Sequence, residues 1–68
     1  MIRLKVNGAD MEVPVRTVAE LLAARGIDAR ARFLAVAVNG AVVRRAEWAG
    51  RELAPGDAVE IVRPLQGG

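Results

Sequence analysis

Ile2, Leu4 and Val6 alternate with Arg3 and Lys5, the period of two that buries one side of a strand. Asn7-Gly8 follows, a pair suited to the positive φ of a two-residue hairpin turn. Alternation then resumes, with Met11, Val13 and Val15 set against Glu12, Pro14 and Arg16. Pro14 has no N–H to give to a ladder, so it belongs on an edge or near a strand end. The opening therefore predicts a β-hairpin. Beyond it the period lengthens. Thr17 and Glu20 have the spacing of a capping box, and Val18, Leu21, Leu22 and Arg25 follow at helical intervals. Gly26 stands where a left-handed C-cap is expected. A helix is predicted over residues 18–25, turning Val18, Leu21 and Leu22 toward a sheet.

Residues 27–32 read as a connection, and residues 33–38 as a continuous apolar run, the pattern of a central strand covered on at least one face. Asn39-Gly40 predicts a second tight turn and Val42-Val43 a short strand. Residues 44–49 read as an irregular crossing with one turn of helix, in which Trp48 plugs one end of the core. Pro55-Gly56-Asp57 is a turn sequence. Val59 and Ile61 then alternate with Glu60, predicting a last strand over residues 58–63. Each pattern buries a single side, so one main helix must cover one face of a mixed sheet of about four to five strands. The first strand reaches the last by a right-handed crossover through the helix. The fold class is α+β, with the layout of a ubiquitin-like β-grasp. Its predicted core is Ile2, Leu4, Val13, Leu21, Leu22, Val36, Val38, Val59 and Ile61. The chain divides into a domain over residues 1–63 and a flexible diglycine tail over residues 64–68.

Composition narrows the chemistry. With 68 residues the chain makes one domain, too small to enclose a nucleotide or a large cofactor in a deep pocket. A hydrophobic content of 53% with 26% charged residues is that of a folded, soluble domain. The sequence contains no Cys, His, Ser or Tyr, one threonine (Thr17) and one lysine (Lys5). Those missing types supply most nucleophiles and general bases, and His and Cys dominate transition-metal sites. The carboxylates of Asp10, Glu12, Glu20, Asp28, Glu47, Glu52, Asp57 and Glu60 are scattered among arginines and read as surface, cap and turn residues. The expectation is no catalytic residue, no metal and no enzyme activity in this chain alone. The net charge of +2 and the basic group Arg25, Arg30 and Arg32 lack the interleaved aromatics of a nucleic-acid surface, since Phe33 and Trp48 are the only aromatics. No apolar run approaches a membrane span and Arg3 and Lys5 break any leader-like start. The expected partners therefore include neither nucleic acid nor membrane, and the expected location is the cytoplasm.

Chemistry concentrates in Pro64-Leu65-Gln66-Gly67-Gly68. Extended, such a segment reaches roughly 17 Å, enough to enter another protein's active site while the domain stays outside. Pro64 ends the strand and stiffens the exit. Gly67 and Gly68 have no side chains to obstruct a narrow channel, and Leu65 and Gln66 are candidate contacts within it. The Gly68 carboxylate is about the least hindered acyl group a protein can offer. It is also a poor electrophile until activated as a phosphate ester or adenylate. The glycines here lack the strand-loop-helix setting of a phosphate-binding loop, so a separate enzyme must supply the nucleotide site.

Taken together, Thr17-Val18-Ala19-Glu20-Leu21-Leu22, Val36-Ala37-Val38-Asn39-Gly40, Arg45-Ala46-Glu47-Trp48, Pro55-Gly56-Asp57, Val59-Glu60-Ile61-Val62 and the diglycine resemble the sulfur carrier proteins of thiamine (thiazole) biosynthesis. The resemblance spans essentially the whole chain, with Arg44 standing where a proline often precedes the arginine matched here by Arg45. It implies that an E1-like adenylating enzyme uses ATP and Mg²⁺ to convert the Gly68 carboxylate to an acyl-adenylate. A cysteine-derived persulfide donor then leaves a thiocarboxylate, and thiazole synthase accepts the sulfur. On this footing Gly68 is the modified residue, and Gly67, Gln66, Leu65 and Pro64 are the tail residues that partners grip. Three other readings share the pattern: the small subunit of molybdopterin synthase, a ubiquitin-like protein modifier, and a non-reactive β-grasp binding module.

Overall fold

The computed structural model describes residues 1–63. Strand β1 (Ile2–Val6) turns through Asn7 and Gly8, with φ of 49° and 84°, into β2 (Ala9–Val13). Helix α1 (Val18–Ala24) follows, then β3 (Ala35–Val38), β4 (Ala41–Val43), a short 3₁₀ turn (Arg45–Glu47) and β5 (Ala58–Val62). The sheet order is β2-β1-β5-β3-β4. β1 and β5 run parallel, with Val6 opposite Val59, and the other neighbours are antiparallel. This is the mixed sheet with one helix of a β-grasp. The middle place belongs to β5, however, while β3 lies between β5 and β4.

The local signals explain the elements. Glu20 N–H donates to Thr17 Oγ1 at 3.2 Å, the first half of the capping box. Its second half is displaced: Glu20 Oε1 accepts from Arg16 N–H at 2.7 Å rather than from the cap residue itself. The next two free donors of the helix, Val18 N–H and Ala19 N–H, are taken by the carbonyls of Arg51 and Trp48. The segment after β4 thus serves as the seat of α1. At the other end Gly26 adopts φ 73°, its N–H donates to Ala23 C=O, and Ile27 N–H donates to Leu22 C=O. That pair of bonds is a Schellman motif. It ends the helix at Ala24, one residue short of the predicted limit, with Arg25 as its cap.

The core contains Leu4, Val6, Val18, Leu21, Leu22, Val36, Val38 and Val59 at its densest, extended by Val15, Ile27, Leu34, Val43, Trp48, Leu53 and Ile61. Two predicted core residues, Ile2 and Val13, are only partly buried, because they face each other where the edge hairpin opens. Trp48 is 3% exposed and its Nε1–H donates to Val43 C=O at 2.8 Å. The Arg45 guanidinium lies 4.8 Å from the Trp48 ring centroid and donates to the carbonyls of Ala29 and Ala31, tying the loop before β3 to the 3₁₀ turn.

The predicted run over residues 33–38 is corrected at its start. Phe33 lies outside β3, with φ 62° and 79% of its surface exposed, whereas Leu34 is buried. A six-residue apolar run cannot all face one layer, and the loop left by α1 still has to turn here. The last strand likewise stops at Val62, one residue before the predicted end. At its start, Asp57 Oδ2 accepts from Ala54 N–H at 2.8 Å and Oδ1 from Asn39 Nδ2 at 3.0 Å. Ala58 N–H donates to Asn39 Oδ1 at 2.9 Å. The second hairpin turn is therefore latched to the beginning of β5.

Candidate functional site

Everything the sequence offers as chemistry leaves the fold through β5. The candidate site is accordingly the root of the tail, residues 61–63, and whatever aims it. Pro64, Leu65, Gln66, Gly67 and Gly68 lie outside the described residues.

Two elements hold that root. On one side β3 pairs with β5 from Val38 opposite Val59 to Ala35 opposite Val62. On the other side β1 ends at Val6, too early to accompany β5 to its end. Its main chain contributes Lys5 N–H to Asp57 C=O at 3.0 Å and Asn7 N–H to Val59 C=O at 2.9 Å. The chain then turns away through Asn7-Gly8, and a side chain completes the series. Ile61 N–H donates to Asn7 Oδ1 at 2.7 Å, and Asn7 Nδ2 donates to Ile61 C=O at 3.3 Å. A carboxamide has the donor and acceptor of a peptide group, so Asn7 stands in for the stretch of strand that β1 lacks.

The open face of the sheet is divided by charge. Over β1 and β2, Arg3 and Glu12 approach at 3.7 Å while both remain largely exposed, and Lys5 lies opposite Asp10. Over β3, β4 and β5, the register puts Ala35 beside Val62 and Ala37 between Val42 and Glu60. Val42 is 76% exposed and Val62 61% exposed. Ala35, Ala37, Val42 and Val62 thus form a small apolar patch bordered by Glu60 near the end of β5, and Phe33 is exposed in the loop before β3.

The ionisable groups hold turns and surface. Among the described residues no polar or charged side chain is buried. Arg30 N–H donates to Asp28 Oδ1, and this bond, with the Arg30 guanidinium nearby, holds the Asp28 carboxyl below the usual carboxylate value. The Ala54 N–H and then the Asn39 amide do the same for Asp57. Among the described residues no helix is long and apolar enough to cross a membrane. Sequence reasoning saw Asn7 only as a turn former. Its position at the point where a parallel neighbour outlasts its strand is the signal that would have marked the side chain. Phe33 was hidden by the very run of apolar residues that it opens.

Comparison with known proteins agrees with this architecture. The family model described as the ThiS family matches residues 4–68. The crystal structure of a thiamine biosynthesis protein (ThiS) from Geobacter metallireducens is 34% identical, with a TM-score of 0.79 over 98% of this chain and 100% of that one. A solution NMR structure of a thiamine biosynthesis protein from Geobacter metallireducens is 33% identical, with a TM-score of 0.79 over 98% of this chain and 88% of that one. A search of curated protein sequences finds no match.

Proposed function

The chain belongs to the ThiS family, and from that premise we propose that it is a sulfur carrier of thiamine biosynthesis, a protein co-substrate whose reacting group is the carboxylate of Gly68. One observation carries the reading. The family match runs through residue 68, so it includes Gly67 and Gly68 as well as the fold that displays them. Residues 1–63 form the domain in this division of labour and residues 64–68 the tail.

The chemistry follows from the poverty of a carboxylate as an electrophile. On an E1-like adenylating enzyme, which supplies ATP and Mg²⁺, a Gly68 carboxylate oxygen attacks the α-phosphorus and pyrophosphate leaves. The terminal sulfur of a cysteine-derived persulfide then attacks the acyl carbon, and AMP departs with the bridging oxygen. A second thiol cleaves the resulting S–S bond, becoming part of a disulfide and releasing a Gly68 thiocarboxylate. That acid is anionic at neutral pH, and its sulfur is the nucleophile, as a thiolate is. Thiazole synthase takes the sulfur, and the tail returns as a carboxylate. Gly67 permits passage through a narrow channel, Pro64 stiffens the exit, and Leu65 and Gln66 give the partners something to hold.

The domain supplies presentation. The patch of Ala35, Ala37, Val42 and Val62 lies beside the tail's root, so the adenylating enzyme that receives the tail meets it first. We place this encounter in the cytoplasm. The test is the intact mass of the full chain after incubation with the adenylating enzyme, ATP, Mg²⁺ and a sulfide source. The expected result is a gain equal to sulfur minus oxygen, confined to the peptide containing Gly68. A chain that stays at its starting mass while a known carrier reacts in the same mixture would overturn the proposal.

A further inference from the structure

We infer that Asn7 is a positioning residue for the tail: its carboxamide, closed on both polar groups of Ile61, sets the direction in which residues 64–68 leave the sheet. The inference rests on the sulfur-carrier reading above and deepens it by naming what aims the reacting terminus.

The argument is one of register. In a parallel pair the partner strand meets every second residue of its neighbour. β1 does so at Asp57 and Val59, through the N–H groups of Lys5 and Asn7. Continued straight, it would next offer Ile61 the carbonyl of residue 7 and the N–H of residue 9. The hairpin turn removes both, since the chain reverses at Asn7-Gly8. Asn7 replaces them with one side chain, Oδ1 for the missing carbonyl and Nδ2 for the missing N–H, at 2.7 and 3.3 Å. Held also by β3 at Val62, the strand has a neighbour on each side as far as Ile61. Without the amide, β5 beyond Val59 would be held from the β3 side alone. Its last residues would fray, and the tail would start from a spread of directions. A terminus that must meet the α-phosphorus of ATP deep in another protein is sensitive to that spread, because orientation supplies much of the rate of such steps.

The fold provides its own control. Asn39 occupies the same first position of the other hairpin turn, with φ 52°, and grips β5 at Ala58 and Asp57, the end far from the tail. Glycine at either position keeps the positive φ that the turn needs and deletes only the amide. The experiment compares wild type, Asn7→Gly and Asn39→Gly as full chains. It reads steady-state pyrophosphate release with the adenylating enzyme, ATP, Mg²⁺ and a sulfide source that turns the acyl-adenylate over, and amide hydrogen exchange of the free proteins.

In Asn7→Gly, exchange at Ile61 should quicken by roughly tenfold or more while Leu4 and Val36 stay protected. Its kcat should fall roughly fivefold or more with KM held within about twofold, since the docking face is intact and only the alignment of Gly68 is lost. Asn39→Gly should lose comparable thermal stability with kcat unchanged. Should Asn7→Gly not fold, Asn7→Asp tolerates the same turn, keeps the acceptor for Ile61 N–H and loses the donor, and kcat should again fall at constant KM. Wild-type kcat in Asn7→Gly, or an equal fall in both glycine variants, overturns the inference and leaves the carrier reading standing. A wild-type chain that releases no pyrophosphate overturns both.

Discussion

Single side chains decide how this small domain closes. Trp48 fills one end of the core and is anchored by a hydrogen bond to Val43 C=O. Trp48→Phe keeps an aromatic ring but loses that hydrogen bond and part of the buried volume, and should cost about 1–3 kcal/mol in denaturant unfolding. Phe33 presents the opposite case. Its left-handed backbone is disfavoured for a bulky residue by about 1–2 kcal/mol, and its exposed ring returns little burial. Phe33→Gly should therefore leave unfolding stability equal to wild type or higher by up to about 1 kcal/mol, even after the entropy glycine adds to the unfolded chain. Sequence made the first residue legible and the second not. Trp48 stood alone in a polar, irregular stretch, where a large apolar side chain has little to do except plug the core. Phe33 looked like the first residue of a strand, because apolar character says nothing about backbone sign.

At the level of elements, the alternations, the capping box and the two Asn-Gly turns were all readable, since each rests on contacts between residues near in sequence. What could not be read were the grips of those turns on β5, which depend on sheet register. They have a consequence for pH. Asp57 accepts two hydrogen bonds as a carboxylate, and its pKa lies below the ordinary value. The stability it contributes is complete above the unfolded carboxylate pKa of about 3.9 and is lost as pH falls through the lower folded value. Asp57→Asn removes that titration, so its unfolding free energy should vary less than that of wild type between about pH 5 and pH 2. Equal pH dependence in the two proteins would show that the latch does not depend on charge. Thr17→Ala should cost about 1 kcal/mol, by loss of the bond to Glu20 N–H, measurable in the same titrations.

For the whole molecule, stability and chemistry belong to different parts of the chain. The core is complete with Ile61, whereas the proposed reaction belongs to Gly68. Deleting Gly68 should abolish adenylation in a pyrophosphate-release assay and leave the melting temperature unchanged. Gly67→Leu should block the same step, and a large fall in its melting temperature would assign the tail a structural role instead. The order of the strands also governs when this protein can come into being. β5 is the last strand to be made and the middle one in space. A nascent chain that stops before residue 58 owns two hairpins with a gap between them, and nothing to bridge it. Folding must wait for β5 to be synthesised, so the same short stretch that closes the sheet leads directly into the segment it presents. Ribosomes that abandon the message before β5 is made release chains with an open sheet and no closed core, exposed to proteases.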